Sequence, residues 1–128
     1  MTLGIGTDIV DIERMKQRID AETGFRELVF SPDEITYCEK RANRYESYAA
    51  RFAAKEALLK AIGTGIDFSI ELNLLSISNE KSGKPFFVRS EALNKYIEKH
   101  LTDHMVDIHV TLSHSNQQAI AFVLINQK

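Results

Sequence analysis

Three charged side chains stand where the sequence otherwise looks built for burial. In FAAKEALLKAIGTGI, Phe52 to Ile66, Glu56 and Lys60 interrupt a segment of mostly Ala, Leu, Ile and Phe. They are four residues apart, so on a helix they share a face. At about 100° per residue, Ala49, Phe52 and Ala53 neighbour them, and Ala54, Leu58, Ala61 and Ile62 fill the opposite side. The third is Asp8, inside the apolar run GIGTDIV. A buried charge is costly without a partner, and one carboxylate is a poor partner for another. Two carboxylates completed by water and phosphate oxygens are a common way to hold Mg²⁺. Asp8 and Glu56 would then grip a cation, and Lys60 would meet an anion bound to it. The plainer alternative is a Glu56–Lys60 helix ion pair, worth about 0.2–0.5 kcal/mol, beside a satisfied or capping Asp8.

These residues need a scaffold that brings them together. Leu3 to Val10 reads as a buried or tightly packed strand, in which Gly4 and Gly6 permit close approach of another backbone or a ligand. Asp11 can cap a helix from Ile12 that places Ile12, Met15 and Ile19 on one face. Gly24 breaks the chain, and a short helical segment ends near Phe30. In SPDE, Ser31 to Glu34, a Ser N-cap, a first-turn Pro and a Glu three residues on mark a helix start, predicted to run to about Lys40. A long helix follows from about Tyr45 to Ile62, stopped by Gly63-Thr64-Gly65.

The second half changes character. Leu74 to Ser78 alternates as a half-buried strand does, NEKSGKP is a turn, and Phe86 to Arg89 resumes a strand. Ser90 opens a helix to about His100. Val106, Ile108, Val110 and Leu112 alternate with polar residues, and after the SHSNQQ turn Ala119 to Ile125 forms the last strand. The expected class is α+β: an antiparallel sheet, a long central helix and several shorter ones.

The chain has 128 residues, which favours one domain over 1–128. It is 44% hydrophobic and 27% charged, with a formal net charge of −2, which gives no sign of nucleic-acid binding. One cysteine, Cys38, excludes an internal disulfide, and its place on a helix points to packing. The N-terminus lacks a basic region and a long apolar run, and no segment approaches the roughly 20 apolar residues of a membrane helix. The expectation is a cytoplasmic protein. The four histidines have no zinc-ligand spacing.

Taken in order, GIGTDIVDIERM, RFAAKEALLKAIGTGI, GKP and HVTLSHSNQQAIAFVL resemble the holo-[acyl-carrier-protein] synthases, the small bacterial members of the phosphopantetheinyl transferase superfamily. The likeness spans essentially the whole chain, and the pairing of G-x-D with F-x-x-K-E-[AS]-x-x-K is what makes it specific. It implies transfer of 4′-phosphopantetheine from coenzyme A to a serine of apo acyl carrier protein, in fatty acid biosynthesis, with adenosine 3′,5′-bisphosphate as co-product and Mg²⁺ as cofactor. It implies Asp8 and Glu56 as ligands to Mg²⁺ and Lys60 as the phosphate contact. It implies a homotrimer with interfacial active sites. The chemistry is consistent, because phosphoryl transfer depends mainly on positioning and charge neutralisation. The general base stays open among Glu56, Asp8 through water, and water alone.

The same resemblance assigns coenzyme A contacts. Arg51 matches a residue near the 3′-phosphate, Gly83, Lys84 and Pro85 a turn beside the adenine, and His114 a position near the phosphates. Lys55 reads equally as a surface lysine or a motif residue. Acyl carrier proteins are acidic, and Arg14 and Arg18, at i and i+4 on the first helix, would form a cationic stripe for docking. Two further readings compete with an enzyme: a nucleotide-binding module without turnover, and an interaction subunit whose Glu56–Lys60 pair is only structural.

Overall fold

The computed structural model describes residues 1–67 and 69–128. Strand β1 (Thr2–Asp11) leads into α1 (Ile12–Asp20), α2 (Phe25–Val29), α3 (Pro32–Glu39) and the long α4 (Arg44–Ile62). A 3₁₀ turn (Leu72–Leu74) precedes the hairpin strands β2 (Ile77–Asn79) and β3 (Pro85–Phe87). Helix α5 (Glu91–His100) and strands β4 (Val106–His114) and β5 (Gln118–Gln127) complete the chain. The main sheet is antiparallel in the order β1-β5-β4, and β2-β3 form a separate pair.

Local chemistry sets most of the element ends. Asp11 accepts from the Glu13 and Arg14 N–H groups and starts α1. Ser31 and Glu34 make a full capping box with Pro32 in the first turn of α3. Ser90 accepts from the Leu93 N–H at 3.1 Å and opens α5. Gly63 ends α4 at φ +100°, a left-handed conformation that glycine adopts without strain.

Helix α4 lies across one face of the main sheet. Ala53, Ala54, Ala57, Leu58, Leu59, Ala61 and Ile62 are buried there with Ala121, Val123 and Ile125 of β5. A second cluster under α1–α3 contains Met15, Phe30, Cys38 and Tyr48, and Val10 and Leu72 touch both clusters. Cys38 is fully buried, and burial pushes its thiol up to about 12, which suits packing rather than reactivity. The other face of the sheet carries Ile5, Ile9, Ile120 and Phe122, from 41% exposed at Ile120 to 59% at Ile5.

Two expectations are corrected. The strand expected over Leu74 to Ser78 begins as the 3₁₀ turn and becomes a strand only at Ile77, because the Leu72 and Leu75 carbonyls bond Lys55 instead of a neighbouring strand. Its partner is Pro85–Phe87 rather than Phe86 to Arg89; past Phe87 the Val88 N–H still bonds the Ser76 carbonyl.

Candidate active site

The GIG run is what lets β1 and α4 touch. A Cβ on Gly4 would sit 1.9 Å from the Ala61 carbonyl oxygen, and one on Gly6 1.9 Å from that of Ala57. Side chains two apart on a strand share a face. Asp8 is therefore the next member of this row, and the first with a side chain to present to the helix.

That side chain meets both charged residues of α4. Lys60 Nζ lies 3.2 Å from Asp8 Oδ1 and donates to the Thr7 carbonyl at 3.1 Å. The helix ion pair with Glu56, the plainer expectation, is not what Lys60 forms; its partner comes from β1. Glu56 faces Asp8 across the β1–α4 contact, and its carboxyl is raised to about 7. Burial is the largest cause, followed by the nearby carboxylate of Asp8, while Lys60 and Arg18 act against the rise. Asp8 Oδ2 is buried with no hydrogen-bond partner.

Two adjoining acids with one orphaned oxygen form a site that lacks positive charge. Lys60 answers it only in part, and its side chain stays 53% exposed. The donor set suits a hard cation such as Mg²⁺, which takes one or two carboxylates and completes its shell with water and phosphate oxygens. Among the described residues no group of three or more His, Cys, Asp or Glu gathers at one point, and none forms an all-protein cage.

Beside Glu56 a groove of about 350 Å³ is lined by Arg14 and Arg18 of α1, with Phe52 and Gln118. The stripe expected on the first helix thus shares a groove with an acid of the site. A second cavity, of about 260 Å³, is lined by Arg51, Asn79, Gly83, Pro85, Tyr37 and His114. Four residues scattered in sequence, Arg51, Gly83, Pro85 and His114, come together here. Lys84 is exposed on the hairpin tip and does not line the cavity. Arg51 is only 3% exposed; its guanidinium sits 4.1 Å from the Tyr37 ring centroid and donates to the Asn79 side chain, leaving Nε unpartnered. His114 Nε2 lies 3.0 Å from Glu46 Oε1. A larger cavity, about 570 Å³ around Gly24, Arg26 and Arg44, holds none of these residues. Chemistry rather than volume locates the site.

Lys55 is neither a surface lysine nor part of the Asp8–Glu56 cluster. It is fully buried and ion-paired to Glu34 at 2.7 Å. Burial pulls its ammonium below the usual value, and Glu34 counters the pull. Tyr37, Asn79 and Glu34 were not legible as site or support residues. The only hint was the SPDE cap, which revealed Glu34 as a capping residue but not its second use.

Comparison with known proteins places the scaffold in a family. The family model described as the 4′-phosphopantetheinyl transferase superfamily matches residues 4–123. A holo-[acyl-carrier-protein] synthase of Cytophaga hutchinsonii is 64% identical over 127 residues, covering 99% of each chain. The crystal structure of holo-[acyl-carrier-protein] synthase from Neisseria meningitidis superposes with a TM-score of 0.87 at 30% identity, over 99% of this chain and all of that one. A Bacillus anthracis holo-(acyl-carrier-protein) synthase, solved in complex with CoA (3′,5′-ADP), gives 0.79 at 30% identity, over 100% of this chain and 99% of that one. This α+β scaffold thus has full-length counterparts in both sequence and structure, and the chain belongs to the holo-[acyl-carrier-protein] synthases of the 4′-phosphopantetheinyl transferase superfamily.

Proposed function

We propose that the protein transfers 4′-phosphopantetheine from coenzyme A to a serine of apo acyl carrier protein, releasing adenosine 3′,5′-bisphosphate, as a step serving fatty acid biosynthesis. The observation that carries the reading is the meeting of Asp8, Glu56 and Lys60, brought from β1 and α4 into one cluster short of positive charge. Asp8 and Glu56 would hold Mg²⁺; the orphaned Asp8 Oδ2 and the raised Glu56 carboxyl are the features that fit it. Bound there, the ion supplies charge neutralisation for a pyrophosphate and for the oxygens of the phosphoryl group in transfer. Lys60 adds an ammonium that is anchored to Asp8 and Thr7 and still reaches solvent. The cavity of Arg51, Gly83, Pro85 and His114 suits the nucleotide end of coenzyme A, with exposed Lys84 between two of its lining residues in sequence.

The groove beside Glu56 suits the carrier protein. Arg14 and Arg18 are exposed on α1 and border the same groove as the acid. Charge complementarity of this kind governs encounter more than chemistry. Arg14→Glu is expected to raise the KM for carrier protein about tenfold or more and to leave the KM for coenzyme A unchanged. Steady-state kinetics with each substrate varied in turn decides it, and equal shifts in both constants contradict the docking role.

The protein is read as a homotrimer with sites at its interfaces, and the uncovered sheet face supports association. Ile5, Ile9, Ile120 and Phe122 make a contiguous apolar patch of a kind that associating proteins bury. Light scattering is expected to give three chains for the natural protein and one for Phe122→Asp; a natural protein that runs as a monomer contradicts this. Residues 1–128 act as one domain in this reading, supported by the two apolar clusters that share Val10 and Leu72. The reaction belongs in the cytoplasm, and no helix among the described residues is long and apolar enough to cross a membrane.

Mass spectrometry tests the activity. Incubation with apo carrier protein, coenzyme A and Mg²⁺ should add the phosphopantetheine mass to the carrier. Binding of coenzyme A without that addition would leave a nucleotide-binding module.

A further inference from the structure

Lys55 sits beside the acidic cluster in sequence but is wired into another part of the fold. Its ammonium has three N–H groups and finds three acceptors: Glu34 Oε1 at 2.7 Å, the Leu75 carbonyl at 2.8 Å and the Leu72 carbonyl at 2.9 Å. Both side chains of the pair are 0% exposed. Glu34 is equally committed. Its Oε1 also accepts from the Ser31 N–H at 2.9 Å, and its Oε2 accepts from the Ile77 N–H at 3.1 Å. The Ser31 and Ser76 hydroxyls meet at 2.7 Å alongside.

A buried ion pair is a poor device for stability, because desolvation offsets most of the attraction and apolar replacements are often as stable. What this pair supplies is geometry. It fixes two carbonyls of the 3₁₀ turn region and the first N–H of β2 against α3 and α4. Two residues along β2, Asn79 accepts from Arg51, one helical turn before Lys55, and donates to the Gly83 carbonyl at 2.9 Å. The β2–β3 hairpin is thus tied to α4 at its start through Lys55, Glu34 and Ile77, and at its tip through Arg51, Asn79 and Gly83. The hairpin residues that line the 260 Å³ cavity, Asn79, Gly83 and Pro85, stand at the second tie, two residues along β2 from the first.

We propose that Lys55 and Glu34 form a positioning pair that sets the hairpin wall of the coenzyme A nucleotide pocket. The inference rests on the reading of that cavity as the coenzyme A site. Neither residue touches substrate; they act through Ile77 and Asn79.

The test begins with coenzyme A binding and turnover by the natural protein. Failure of both defeats the functional reading itself, before any variant is made. Lys55→Met is then expected to raise the KM for coenzyme A at least tenfold, with kcat at saturating coenzyme A within threefold and the KM for carrier protein unchanged. A merely structural lysine would instead lower the melting temperature and the active fraction, reducing kcat and leaving that KM alone. A folded Lys55→Met protein with the natural KM for coenzyme A overturns the proposal. Because that variant strands Glu34 in the core, Lys55→Met/Glu34→Gln removes both charges and is judged by the same criterion. Should neither fold, hydrogen exchange on the natural protein decides. Saturating coenzyme A is expected to slow exchange of the Ile77 amide at least fivefold along with Gly83; slowing at Gly83 with Ile77 unchanged overturns the link.

Discussion

Glu56→Gln is expected to lower the transfer rate by about 10²–10³-fold, the cost of removing one preorganised electrostatic group from an active site, while the protein stays folded. Gln keeps the shape and loses the charge, so the variant isolates charge from packing. It should also be the more stable protein at pH 8 without metal. The Glu56 carboxyl is raised to about 7 from its ordinary value of 4.5. Between those values the folded chain holds a proton that the unfolded chain has released. Unfolding therefore releases a proton there, and stability falls as pH rises through this window, levelling above it. Melting curves of the metal-free natural protein should decline across that range relative to those of Glu56→Gln. Mg²⁺ at pH 8 should raise the midpoint of the natural protein and raise that of the variant less at the same concentration. Parallel pH profiles for the two proteins would contradict the acidic cluster.

Gly6→Ala is expected to cost about 3 kcal/mol, the upper end of the usual overpacking range, or to prevent folding. Only backbone opposes the added methyl: its nearest neighbour is the Ala57 carbonyl oxygen at 1.9 Å, followed by the Ala61 nitrogen at 2.8 Å. Neither can swing aside as a long side chain could, so α4 must lift from β1. Asp8 lies two residues on along the same face, so the shift also pulls Glu56 and Lys60 away from it. Activity should fall further than the loss of folded protein explains. Urea unfolding with activity assays on the folded fraction measures both parts. A Gly6→Ala protein within about 1 kcal/mol of the natural one and fully active would show that β1 and α4 do not pack as described.

What could be read from sequence follows the range of the interactions. Asp11, Ser31, Gly63 and Ser90 each act on groups a few residues away, so their caps and stops are visible in a local pattern. Asp8 and Glu56 were legible because a carboxylate in an apolar setting is anomalous wherever it lies. Lys60 shows the limit. The local expectation paired it with Glu56, whereas its partner Asp8 is 52 positions distant. Lys55 shows it more fully. Its acceptors lie at Glu34, Leu72 and Leu75, and no periodicity on α4 marks it out from Arg51 or Lys60. The same long-range demand shortened β2, since carbonyls turned to Lys55 are lost to strand pairing. Tyr37 and Asn79 are ordinary residues made special only by Arg51 beside them.

Titration with Mn²⁺, followed by electron paramagnetic resonance in the presence of coenzyme A, tests the central claim most directly. The natural protein is expected to bind one ion per chain, with the signal perturbed by the phosphates. Asp8→Asn and Glu56→Gln should each weaken that binding at least tenfold, and the double variant should abolish it. Natural affinity for Mn²⁺ in the folded double variant would show that these two carboxylates do not hold the ion.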